Sequence, residues 1–124
     1  MSSSAAREIR RGDIYWLDSD ETGGAIPGIP HPHVVVQDDV FNRSRIASVV
    51  VCALSSNLKR IKEPGNVLLE VGEGGLEKPS IVLVSQISAV DKARLGPYIG
   101  ALSAERVEQI LSGLRFQQAS FFKR

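Results

Sequence analysis

The chain has 124 residues, of which 43% are hydrophobic and 23% charged, with a formal net charge of +1. That is the size and make-up of one folded domain with a modest core, and near-neutral charge means that any nucleic-acid site must be local. One cysteine and two histidines leave no internal disulfide and argue against a structural zinc site; no run reaches the ~18 apolar residues of a membrane span, and the first residues lack a signal-peptide core, so a cytoplasmic protein without a membrane partner is expected.

Residues 1–8 read as a disordered tail before a single domain at 9–124. Ile9–Asp18 reads as a strand interrupted by the Gly12-Asp13 turn signal, with Ile14, Tyr15, Trp16 and Leu17 as its body. Ser19–Pro32 holds three Pro and three Gly without periodicity. A loop of that length in a small domain is usually functional or mobile. His33–Gln37 and Ile46–Leu54 are apolar, β-branched runs with the character of central strands, joined by the polar stretch 41–45. Cys52 inside the second run reads as a small buried hydrophobe.

Ser55–Gly65 is a second, basic loop closed by Pro64-Gly65. Asn66–Val71 predicts a strand. Gly72-Glu73-Gly74-Gly75 lacks the Lys-Ser/Thr of a phosphate loop and reads as a hairpin end. Ile81–Val90 and Tyr98–Leu102 complete the strands. Ser103 then caps a helix whose Val107, Ile110, Leu111 and Leu114 share one face, with Phe116, Phe121 and Phe122 extending an apolar surface. The pattern predicts a mainly β domain with a C-terminal helix, a small curled barrel closed by that helix.

The candidates for acid/base or nucleophilic work are His31, His33, Ser55, Ser56 and Gln86. Both histidines stand in Pro30-His31-Pro32-His33, a stiffened entry to a strand, and histidine exchanges protons near neutral pH. Solvated loop histidines are the commoner alternative. Ser55 and Ser56 end a central strand, so a curled sheet can bring them to His31; turn capping is their plain alternative. An imidazole and a hydroxyl together suit phosphodiester chemistry as well as acyl transfer. Arg43, Arg45, Lys59, Arg60 and Lys62 form a possible basic rim for an anionic ligand, against the alternative of solvated charge. Aromatic rings able to stack on bases are Tyr15, Trp16, Phe41 and Tyr98, and one of Tyr15 and Trp16 must face the core.

The order of these segments resembles the MazF/PemK (Kid-like) toxin family. The resemblance rests on Arg11-Gly12-Asp13-Ile14-Tyr15-Trp16, on Pro32-His33-Val34-Val35-Val36-Gln37 with Phe41-Asn42-Arg43, and on Leu54-Ser55-Ser56-Asn57-Leu58-Lys59. It continues through Pro64-Gly65-Asn66-Val67, Glu73-Gly74-Gly75-Leu76, Ser85-Gln86-Ile87 and Val90-Asp91-Lys92-Ala93-Arg94-Leu95. It covers residues 9 to about 118.

The resemblance implies a CcdB/MazF-like barrel, related to SH3-like barrels, that forms a homodimer. It implies a cofactor-free, metal-independent endoribonuclease of a type II toxin–antitoxin pair. Such an enzyme cuts single-stranded RNA to 2′,3′-cyclic phosphate and 5′-hydroxyl ends and is held by an antitoxin with an acidic C-terminal tail, the pair also binding DNA. On this chain the resemblance puts catalysis on His31 and Ser55. It puts RNA contacts on His33, Asn42, Arg43, Arg45, Ser56, Lys59, Arg60, Lys62 and Gln86, with no metal ligands. Two places depart from the family pattern: His31 stands where an Arg usually precedes the strand proline, and the preceding loop Gly24-Ala25-Ile26-Pro27-Gly28-Ile29 is more apolar and lacks the family's Glu. Two readings follow, an active enzyme using His31, or an inactive relative that binds RNA or antitoxin. A gyrase poison is a weaker third, because the tail Phe121-Phe122-Lys123-Arg124 has no Trp.

Overall fold

The computed structural model describes residues 7–18 and 29–122, with side chains through 119. Residues 1–6 of the expected tail at 1–8, and most of the long loop, 19–28, lie outside the described residues. The strands are β1 (Asp13–Asp18), β2 (Pro30–Val35), β3 (Ser48–Ser55), β4 (Val67–Leu69), β5 (Ser80–Asp91) and β6 (Tyr98–Ala101). A short helix, α1 (Asp39–Asn42), joins β2 to β3, and a long one, α2 (Ala104–Phe122), follows β6. The strands form one antiparallel sheet in the order β4-β5-β3-β2-β1-β6.

The central position of β2 and β3 explains why both read as apolar throughout. Strand alternation sends successive side chains to opposite faces, and both faces are covered. Ile14, Val34, Cys52 and Leu54 join Leu69, Val84, Ile110 and Leu114 in one core, beneath α2. Tyr15, Leu17, Val35, Val49 and Val51 build a second core on the other face. Burial pushes the Cys52 thiol up to about 12, which makes it an inert packing group.

The sheet curls because β5 is bulged. Its register with β3 jumps from Cys52↔Ile87 to Leu54↔Val82, and the extra residues bend the strand. The curl brings the turn after β4, Glu73–Gly75, onto β6. Contact there is backbone to backbone: a Cβ on Gly100 would lie 2.3 Å from the Gly74 carbonyl oxygen. The expected hairpin end is therefore also the seam that closes the barrel.

The Ser103 hydroxyl accepts the Arg106 N–H at 3.2 Å and starts α2 as the sequence suggests. Ile110 and Leu114 bury against the first core. Arg106 grips Glu73 through two bonds of 2.8 Å, holding the helix to the closing turn and drawing the Glu73 carboxyl below its usual range. Gly113 allows the closest approach, since a Cβ there would sit 2.1 Å from the Gly65 carbonyl oxygen.

Candidate active site

The strand β2 begins three residues earlier than the sequence suggests, at Pro30 rather than His33, so both histidines stand on a strand and not in a loop. His31 faces Leu17 and His33 faces Tyr15 across the ladder with β1. On its other side β2 pairs with β3 only through His33↔Ala53, Val34↔Cys52 and Val35↔Val51. Beyond His33 the strand is locally an edge, which is where proline is tolerated because it has no N–H to give. Pro30 and Pro32 thus sit where β2 and β3 part company. Continuing the register past His33↔Ala53 sets His31 opposite Ser55, with their side chains on one face.

The parted strands form the wall of a cavity of about 330 Å³. His31, Ser55 and Ser56 all line it, together with Trp16, Tyr98, Glu77 and Lys78. The convergence of His31 with the end of β3, expected from a curled sheet, is present.

The hydrogen bonds around these groups decide what each can do. The Ser55 oxygen accepts the Asn57 N–H at 3.1 Å. That is the turn-capping role, and it leaves the hydroxyl proton free to donate. The His33 ring Nδ1 lies 2.9 Å from the His31 carbonyl oxygen. A carbonyl only accepts, so Nδ1 carries the hydrogen. Burial lowers the His33 pKa against the opposing effect of that bond. His33 is a neutral brace that fixes the His31 backbone. The His31 imidazole and the Ser56 hydroxyl have no hydrogen-bond or ionic partner among the described residues.

The remaining candidates lie elsewhere. Asn42 is 6% exposed. Its Nδ2 donates to the Gln37 carbonyl and the Asp39 carboxylate, each at 2.9 Å, and its Oδ1 accepts the Gln37 amide at 2.9 Å. Asn42 thus spends both of its amide hydrogens inside the fold and holds the corner after β2. Arg60 forms a two-bond pair with Glu63, at 2.8 and 3.1 Å, and so is not a free cation. Its loop is pinned as a 3₁₀ turn, Leu58–Lys62, with Asn66 donating to the Arg60 carbonyl. Arg43, Arg45, Lys59 and Lys62 are exposed but do not line the cavity. Gln86 is exposed in the bulged stretch of β5 opposite Ala53, also off the cavity wall. Among the described residues no three His, Cys, Asp or Glu side chains converge as a metal site, and no helix is long and apolar enough to cross a membrane.

Residues 10–117 match the profile of the PemK-like, MazF-like toxins of type II toxin–antitoxin systems. The chain belongs to this family. Endoribonuclease MazF6 of Mycobacterium tuberculosis is 34% identical over 107 residues, spanning 86% of this chain and 94% of that protein. Endoribonuclease EndoA of Bacillus subtilis is 30% identical over 111 residues, 90% of this chain and 95% of that protein. The fold matches crystalline MazF from Deinococcus radiodurans with a TM-score of 0.73 at 18% identity, covering 92% and 99% of the two chains. A mycobacterial endoribonuclease in complex with its cognate antitoxin matches with a TM-score of 0.69 at 20% identity, covering 92% and 96%. The curled sheet with its C-terminal helix is thus the MazF-like barrel.

Measured against this MazF-like frame, sequence reasoning missed Glu77 and Lys78 on the cavity wall. They follow the Gly-rich turn, and reading that turn as a bare hairpin end gave no reason to look past it. The signal was present: a charged pair directly after the apolar Leu76, which the seam between the turn and β6 carries to the cavity. Trp16 was open as either core or stacking ring. Tyr15 takes the core position at 4% exposure, leaving Trp16 at 39%.

Proposed function

We propose that the chain is the toxin of a type II toxin–antitoxin pair, an endoribonuclease that cuts single-stranded RNA at a short motif. The observation that carries this reading is the meeting of His31 and Ser55 on one cavity wall in a chain of the MazF-like family. The substrate's own 2′-hydroxyl attacks the adjacent phosphorus, and the bond from phosphorus to the next 5′-oxygen breaks. The products are a 2′,3′-cyclic phosphate and a 5′-hydroxyl. The His31 imidazole takes the 2′-hydroxyl proton, and the departing 5′-oxygen takes a proton from solvent. The Ser55 hydroxyl, already oriented through its oxygen by Asn57, donates to a phosphoryl oxygen as negative charge develops. His33 positions His31 through its carbonyl. No step calls on a metal.

The protein acts in the cytoplasm as a homodimer, a state favoured by apolar side chains left in water, with Val40 at 64%, Phe116 at 57% and Phe41 at 50% exposure. An antitoxin with an acidic tail competes with RNA for the cavity and for the exposed cations Arg43, Arg45, Lys59 and Lys62. The test is incubation with a long single-stranded RNA in EDTA, followed by analysis of fragment ends. Cyclic-phosphate and 5′-hydroxyl ends are expected. RNA that is bound but uncut by wild type, and cut by His31→Arg, would make the chain a binding module that has lost its chemistry. Light scattering at micromolar concentration tests the dimer, and a monomer would refute it.

A further inference from the structure

The cavity holds a second set of features that the cleavage step does not use. Trp16 interrupts the burial of β1: Tyr15 and Leu17 on either side are each 4% exposed, yet the indole is 39% exposed and lines the cavity. Its N–H has no partner among the described residues. Its backbone is held on both sides, the N–H donating to the Pro97 carbonyl at 3.0 Å and the carbonyl accepting the Gly96 N–H at 2.7 Å. The ring thus rides on a fixed backbone beside open space.

The neighbouring aromatic ring is already engaged. The Arg7 guanidinium lies 3.5 Å from the Tyr98 ring centroid, and Tyr15 meets Tyr98 edge to face at 5.6 Å. Tyr98 is a wall, and Trp16 is the uncommitted stacking surface. Glu77 and Lys78 line the same cavity and supply a carboxylate and an ammonium, neither with a side-chain partner among the described residues. At about 330 Å³ the space suits a small flat group, near the lower end of ligand cavities.

We propose that this cavity seats one base of the RNA against the Trp16 indole, and that the Glu77 carboxylate selects bases whose edge donates hydrogen bonds. The proposal rests on the reading of the chain as an RNA-cutting enzyme and names how that site chooses its substrate. Single-stranded RNA is read by splaying bases out onto aromatic rings and bonding their edges. An ionised carboxylate only accepts. Guanine presents two adjacent donors and meets both carboxylate oxygens. Cytosine and adenine offer an amino group. Uracil offers one N–H between two carbonyl oxygens that a carboxylate repels. The order is guanine, then cytosine and adenine, then uracil. Lys78 supplies a point charge for a phosphate beside the seated base.

Trp16 is the chain's single tryptophan, so intrinsic fluorescence reports this site alone. The experiment titrates the full-length protein with non-cleavable 2′-O-methyl uridine nonamers whose central base is guanine, cytosine, adenine or uracil. Binding is followed by fluorescence and in parallel by filter retention. Guanine should quench most and bind tightest. Trp16→Ala should lose on the order of 10- to 100-fold in affinity, the size of one stacked base, and Trp16→Phe should keep most of it. Glu77→Gln, which can both donate and accept, should flatten the base order by about tenfold or more. Equal binding of all four oligomers, an unchanged order in Glu77→Gln, or RNA retention without a fluorescence change overturns the proposal. If wild type still cuts RNA in that event, the cleavage reading stands and the base pocket falls. Base-ordered quenching without cutting is the reverse outcome, and protein that neither binds nor cuts refutes both.

Discussion

The strands β2 and β3 form one antiparallel pair with two very different ends. At the end near Val35 and Ser48, the chain turns back through α1 and the Gln37, Asp39 and Asn42 side chains are hydrogen-bonded to one another and to the backbone. Asp39 accepts the Arg11 N–H at 2.7 Å and the Asn42 amide at 2.9 Å. Burial works against the Asp39 charge, but these bonds and the Arg43 and Arg11 charges outweigh it and lower its pKa. Lys92 Nζ donates to the carbonyls of Asn42 and Ser44, each at 3.1 Å, and closes the end of α1. At the other end Pro30 and Pro32 part the strands, and His31, Ser56, Glu77 and Lys78 are left without side-chain partners among the described residues. Both ends carry residues of the kind that bind RNA. A side chain whose bonds are all spent inside the fold has none to give a ligand, and this separates the Asn42 corner from the His31 cleft.

Four experiments break or sharpen that contrast. The largest effect is expected at the open end. His31→Ala should lower the cleavage rate by on the order of 10²–10⁴ with little change in RNA binding, the usual size of a positioned acid/base group. Ser55→Ala should also cost rate more than binding. Normal cleavage by His31→Ala would remove the catalytic role of the open end altogether.

At the closed end the loss should be of stability. Asn42→Ala leaves the partly buried Gln37 and Asp39 groups without their partner, at a cost toward the lower end of the ~1–3 kcal/mol of an unsatisfied buried group. The denaturant midpoint should fall while the rate per folded molecule holds. A rate loss without destabilisation would return Asn42 to the site.

A smaller effect is expected from His33, which joins the two ends. Its pKa is lowered in the fold from an ordinary value of 6.5, so the unfolded chain takes up a proton first as pH falls. Its stabilising contribution is present above pH 6.5 and is lost as pH drops toward the folded value. The melting temperature should therefore fall between pH 7 and pH 5, and by less in His33→Gln. Parallel pH profiles of wild type and variant would show that burial of the ring is not felt.

The smallest effect is expected from the exposed cations. Replacing Lys59 and Lys62 by Ala should leave the cleavage rate near wild type. For each lysine that touches a phosphate, the slope of log affinity against log salt should flatten by about 0.7. An unchanged slope would take that part of the rim off the RNA path.

The sequence by itself determined the strand runs and the cap and apolar face of α2, because alternation, helical spacing and capping are local physics; the family came from the order of its motifs, as a resemblance. It also placed His31 and Ser55 at strand ends that a curled sheet can bring together. It could not say that Pro30 and Pro32 belong to a strand. Proline reads as loop until the neighbouring strand is known to stop short, and that depends on the β2–β3 register. Nor could it separate Asn42 from His31, or the engaged Arg60 from the exposed Lys59, because a side chain's partners come from residues distant in sequence. Glu77 and Trp16 share a cavity only because the bulge in β5 curls the sheet and the Gly74–Gly100 contact closes it. Only the tertiary structure decided which polar groups were spent and which were left over, because that balance is struck across the whole sheet and not along any one segment.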